Sequence, residues 1–249
     1  MVQTPSEADP DVIFVSYDEP NADANFARLQ SLAPAARRLH GIEGIYNAYQ
    51  AAAELSQTRY FFMIDGDTWI RDGVTFRIPD GKPADIYTWR SVNAVNGLEA
   101  RTGALKLIRR GAARSMKSDA IDFFASMTGV RRTIRLLASE NRFNASPLLT
   151  WRGAFRECAK LASATFIDPS QRKLEVWQTL GAEKPFGLWS LIGARMGAEL
   201  GRRDGGAAMD LINDKAYLEQ TFQDLRDRLG PLAVTPPAQL SEPSQDASS

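Results

Sequence analysis

Cysteine and histidine are the scarcest chemistry in this chain of 249 residues, where Cys158 and His40 each stand alone. A single cysteine excludes an intrachain disulfide and any cysteine-based metal centre. It also leads us to expect a reducing, cytoplasmic compartment. Net charge is missing too: Lys+Arg is 30 and Asp+Glu is 30, so no overall field draws the chain to nucleic acid or to an acidic membrane surface. No apolar run approaches the roughly 20 residues that a bilayer span requires. The polar, acidic stretch Met1–Pro10 lacks the apolar centre of a secretory signal. The expectation is therefore a protein with no membrane partner, and the sequence assigns no oligomeric state.

Apolar content is ample at 44%, enough for one sizeable α/β domain with a helical annex. The most informative stretch is Tyr60-Phe61-Phe62-Met63-Ile64-Asp65-Gly66-Asp67. An unbroken apolar run that ends in glycine and two acids reads as a buried central strand stopping at a turn. Ligands in open α/β sheets sit beyond the carboxyl ends of the strands, so Asp65 and Asp67 would emerge together at the ligand edge. Two carboxylates spaced in this way suit a hard divalent cation that also holds substrate phosphates. They also suit nothing more than a solvated strand-end turn.

Upstream, Asp11–Ser16 is apolar and β-branched and predicts the first strand; a helix is expected from Asp23 to about Leu32, with Phe26 and Leu29 as an apolar pair. Ala35–Leu39 predicts a short strand, His40-Gly41-Ile42-Glu43-Gly44 a turn, and the Ala-rich Ile45–Ser56 a helix. The order β-α-β-α-β implies right-handed crossovers and a parallel sheet. Three loops would then converge: Ser16–Asn21, His40–Gly44 and Asp65–Asp67. The free N–H groups at the start of the helix near Ile45 would favour an anion, with Gly41 and Gly44 allowing close backbone approach. Downstream, strands are expected at Asp85–Arg90 and Gly103–Ile108, and a strand or helix end at Ile134–Leu137. Helices are expected at Arg110–Lys117, Pro147–Ser163, Pro169–Thr179, Leu188–Leu200 and Asp210–Leu229. Residues 231–249 are rich in Pro, Ser, Gln and Ala and predict a disordered tail.

These stretches resemble the nucleotide-sugar-dependent glycosyltransferases of the GT-A fold, through Val12–Val15, His40-Gly41-x-x-Gly44-x-x-Asn47 and the D-x-D strand. More narrowly, five segments look like a phage-encoded family of that fold: 14–22, 40–45, 96–99, 150–161 and Lys184-Pro185-Phe186-Gly187. The resemblance runs from about residue 11 to 201 and reaches, more distantly, the glucosyltransferases of modified DNA bases such as base J. It implies an open, mostly parallel GT-A-like sheet flanked by helices over residues 11–230, with a helical C-terminal part, between a loose leader (1–10) and the tail. It implies a nucleoside-diphosphate sugar as donor, Mn²⁺ or Mg²⁺ as cofactor, and an acceptor hydroxyl. A hydroxymethylated base in DNA is the expected acceptor, and a host cytoplasm the expected compartment if the chain is phage-encoded.

The site residues follow from the same resemblance. Asp67 and Asp65 would meet the metal, Asp65 also the ribose or sugar, and Ser16, Asp18, Glu19, His40 and Gly44 the nucleotide. Glu157 would be the catalytic base that takes the acceptor's proton. Trp89 and Trp151 would stack on a sugar or base, or simply pack the core. A DNA acceptor would need Lys and Arg for its phosphates, supplied by Arg109, Arg110, Arg114 and Lys117 or by Arg131, Arg132 and Arg135. Three other readings stand beside this one. A haloacid-dehalogenase-type phosphohydrolase would want Thr where Trp69 stands. A sugar nucleotidyltransferase would want glycines where Tyr17-Asp18-Glu19-Pro20 stands. A non-catalytic nucleic-acid-binding module would not require the D-x-D.

Overall fold

The computed structural model describes residues 9–100, 103–117, 126–163 and 171–230; the expected leader lies mostly, and the tail wholly, outside them. The chain opens as β1 (Asp11–Ser16), α1 (Ala22–Leu32), β2 (Arg37–His40), α2 (Ile45–Leu55) and β3 (Tyr60–Asp65). The apolar strands and the alanine-rich helix thus form where hydrophobic pattern and propensity place them. Strand β1 pairs in parallel with β2 and with β3, as two helical crossovers require. β2 differs from expectation by starting later and taking in His40, because Ser16 pairs with His40 across the ladder.

The remaining strands are β4 (Thr68–Ile70), β5 (Ile86–Asn93), β6 (Glu99–Ala100), β7 (Leu105–Arg109) and β8 (Arg131–Asn141). The sheet runs β2-β1-β3-β7-β5-β8-β4, with β6 on β5. Beyond β3 it is mixed: β7 is antiparallel to β3 and β5, β4 is antiparallel to β8, and only β5 and β8 pair in parallel. The expected mostly parallel sheet therefore holds for its first three strands. No helical crossover lies between β5 and β7, and such connections give antiparallel neighbours.

Gly66 and Asp67 alone separate β3 from β4, yet β4 pairs at the opposite end of the strand order. Two residues span only about 7 Å, so the sheet curls until its far edge returns to the end of β3. The D-x-D is the link between the end of β3 and that edge.

Apolar clusters cover both faces of the sheet, one built on Phe14, Phe62 and Ile64 and one on Ile13, Tyr49 and Met63. After the short α3 (Arg110–Arg114), the C-terminal part is helical: α4 (Pro147–Ala162), α5 (Gln171–Thr179), α6 (Gly187–Asp204), α7 (Ala208–Leu211) and α8 (Lys215–Leu229). The single helix expected over Asp210–Leu229 is broken, because the Asp214 carboxylate accepts from Tyr217 N (3.1 Å) and starts α8 afresh. α4 and α6 touch backbone to backbone. A Cβ on Gly193, Gly197 or Gly201 would run into the carbonyl oxygens of Trp151, Phe155 and Ala159 in turn. Trp151 is fully buried against Phe155 and Phe222, and Trp89 against Phe62. Both tryptophans pack the core and are closed to a sugar or base.

Candidate active site

The first three strands end on Ser16, His40 and Asp65, side by side. Ser16 Oγ lies 3.0 Å from His40 Nδ1 and accepts from Arg38 Nε at 2.8 Å; Arg38 in turn pairs with Asp23 at 2.5 Å. Tyr17, Asp18, Glu19, Asp23, Arg38 and His40 line an open cleft of about 550 Å³, within the usual range for small-molecule sites. Beside it the chain turns through Gly41 and Gly44, both at positive φ (80° and 86°), a conformation that glycine adopts without strain. Gly44 is the N-cap of α2, and no side chain caps that helix, so its first N–H groups stay open to a ligand. From the C-terminal part, Lys215 places its ammonium over the Tyr17 ring and 3.7 Å from Glu43.

The D-x-D turn is held from behind. Asn25, fully buried on α1, donates to the Gly66 carbonyl (2.8 Å). The Asp67 carbonyl accepts from Arg142 N (2.7 Å). Glu19 accepts from Tyr17 N (2.7 Å), and its carboxylate rests against the Gly66 Cα, where a Cβ would sit 2.5 Å from Oε2. A side chain at Gly66 would therefore displace the Glu19 carboxylate. The same packing brings Glu19, Asp65 and Asp67 together.

The charges in this cluster are unequal. Lys106 is buried on β7, opposite Met63, and its ammonium lies 2.9 Å from Asp65 Oδ2 beneath the Tyr49 ring. Burial works against the Lys106 charge, but Asp65 and Tyr49 more than restore it and push its pKa up. Among the described residues no cation pairs directly with Asp67. Burial, then the Asp65 and Glu19 charges, push its carboxyl from 3.8 up to about 7. A divalent cation beside Asp67 would relieve that repulsion, with Glu19 next to it and phosphates and water completing the shell. Asp65 is already engaged by a lysine, so the residues fit a cation at Asp67 better than one shared equally by both aspartates. Among the described residues no three His, Cys, Asp or Glu side chains converge as a preformed metal cage.

Ser16, Asp18, Glu19, His40, Gly44, Asp65 and Asp67 are therefore brought to one edge. Glu157 is not bound to that edge. It pairs with Lys160 on its own helix (2.6 Å). Burial pushes its carboxyl up, and the Lys160, Lys173 and Arg156 charges pull it down further. The basic clusters also stand apart. Arg109 is opposite Tyr60, at the start of β3, about 16 Å of strand from Asp65. It holds Asp85 at 2.5 Å, while Arg110 closes on the Ser56 carbonyl. Arg131 and Arg132 begin β8, whose other end reaches the site. Lys106 is the functional residue that pattern reading passed over. Its signal is a cation inside the apolar run Leu105–Ile108. Asn25 and Arg142 carry no comparable mark.

No family model and no curated protein matches the chain. A solved structure with some likeness is HddC from Yersinia pseudotuberculosis. It is 13% identical and covers 52% of this chain and 71% of that one, with a TM-score of 0.32. A likeness that slight carries no argument about function. Among the described residues no helix is long and apolar enough to cross a membrane.

Proposed function

We propose that the chain is a glycosyltransferase that moves a sugar from a nucleoside-diphosphate sugar to an acceptor hydroxyl, with Mn²⁺ or Mg²⁺ at Asp67. The observation that carries this reading is the meeting, at the ends of three adjacent parallel strands, of a cleft, an open helix N-terminus and the D-x-D. The nucleoside lies in the cleft of Tyr17, Asp18 and His40. The diphosphate spans from the N–H groups after Gly44 to Asp67. A cation held there would neutralise charge on the departing diphosphate. Lys106 holds Asp65 in place beside the sugar. The haloacid-dehalogenase reading gains nothing: the D-x-D follows two other strands, and Trp69 stands where that chemistry needs Thr.

The test is thermal unfolding of the purified protein against a panel of nucleoside diphosphates, with Mn²⁺ and with a chelator. A ligand at 100 times its Kd adds about 2.7 kcal/mol. The expected result is a metal-dependent rise in Tm with one diphosphate, lost in Asp67→Ala. No rise with any diphosphate refutes the transferase reading.

A further inference from the structure

A second cleft, of about 560 Å³, lies on the other side of Pro20 from the first. Its wall is built from the end of β8 and the loop before α6, and it includes Asn21, Glu140, Arg142, Asn144, Lys184 and Phe186. It adjoins the D-x-D directly, since Arg142 N donates to the Asp67 carbonyl.

The groups in this cleft are fixed before any ligand arrives. Asn21 Nδ2 donates to the Arg142 carbonyl (2.8 Å), which sets the amide's orientation and leaves its buried Oδ1 without a donor. The Arg142 guanidinium carbon sits 4.0 Å from the Trp69 ring centroid, and the group reaches Glu140 through Nε and Nη2 (3.0 and 2.8 Å). Asn144 donates to the Pro185 carbonyl (3.2 Å) and pins the next loop. In that loop Phe186 takes a left-handed conformation (φ 57°), the sole non-glycine to do so among the described residues. The Gly187 and Trp189 N–H groups bond back to the Lys184 and Phe186 carbonyls. Recognition of an anion therefore falls to side chains and not to the helix end. Glu140 cancels one of the two cations, leaving one positive charge in surplus, with Lys184 exposed and in no ion pair among the described residues.

We propose that this cleft receives the acceptor, and that the acceptor is a hydroxylated ring bearing a phosphate. Its phosphate meets Lys184, its hydroxyls meet Glu140 and Asn144, and its ring lies against Pro185 and Phe186. The chemistry is shared by a free sugar phosphate and by a nucleotide unit of a nucleic acid. The proposal rests on the transferase reading of the adjoining site.

The test is calorimetric titration of three probes into the protein: glucose, glucose 6-phosphate, and a short single-stranded oligodeoxynucleotide carrying 5-hydroxymethylcytosine. Wild type, Lys184→Ala and Asn144→Ala are compared. At least one phosphate-bearing probe is expected to bind about tenfold or more tighter than glucose, as one charge-assisted contact allows. Lys184→Ala, a surface change that spares the fold, is expected to erase that preference. Asn144→Ala is expected to weaken every probe that binds. Whichever phosphate-bearing probe binds identifies the source. If neither binds more tightly than glucose, or if Lys184→Ala changes nothing, the proposal is overturned. The nucleoside-diphosphate Tm shift is read on the same samples. Its absence in wild type strikes the transferase reading, whereas a normal shift without Lys184-dependent binding strikes this inference alone.

Discussion

Replacing Asp67 by Asn should make the metal-free protein more stable, and only at neutral and alkaline pH. Burial and two neighbouring carboxylates raise the Asp67 carboxyl from 3.8 to about 7. A carboxyl raised by folding binds its proton more tightly in the native state than in the unfolded one. Its contribution to stability is fully present below about 4 and is lost as pH climbs through about 7. The gap of about three pH units is worth at most about 4 kcal/mol. Asp67 is only partly buried, and solvent screening reduces the figure to about 2 kcal/mol. Asn keeps the shape and removes the charge. At pH 8 the variant should unfold about 4–8 °C above wild type, and at pH 4 the two should coincide. Mn²⁺ should raise the wild-type Tm at pH 8 and leave the variant unchanged. Scanning calorimetry in chelator at the two pH values reads this directly. A variant no more stable than wild type at pH 8, or a difference independent of pH, would refute the reasoning.

The other predictions concern what surrounds that carboxylate. Lys106→Met leaves Asp65 without its cation; since Asp65 is 41% exposed, we expect a loss of about 1–3 kcal/mol in urea unfolding, most of it recovered in the double variant with Asp65→Asn. Gly66→Ala pushes the Glu19 carboxylate away and should abolish the diphosphate-dependent Tm shift. Glu157→Gln should leave that shift intact, because Glu157 answers to Lys160; loss of the shift would refute that placement. Gly197→Ala gains about 1 kcal/mol of helix propensity, but its Cβ meets the Phe155 carbonyl. Overpacking costs about 1–3 kcal/mol, so a net loss in urea unfolding is expected, and a gain would mean that α4 and α6 separate easily.

Local chemistry was enough to place the elements that make the candidate site. Apolar, β-branched runs specify β1 and β3, alanines specify α2, and glycines with positive φ specify the turns, because each depends on residues within a few positions of one another. That Ser16, Asp18, Glu19, His40, Gly44, Asp65 and Asp67 share one edge was legible for the same reason: parallel strands joined by helices must end there. Pairing between distant segments is not written locally. The antiparallel half of the sheet, the curl that returns β4 to the end of β3, and the lysine placed on Asp65 from a strand some forty residues away arise only when the whole sheet closes. Trp89 and Trp151 read equally well as platforms or as core, and burial decided for core. Glu157 and the arginine clusters carry suitable charges, yet register and helix rotation point them at other partners. The amino-acid order thus determines which chemistry stands at each strand end, through interactions spanning a turn or two. Which charges face one another is decided by tertiary packing, because electrostatic partners are chosen by distance in space and not along the chain.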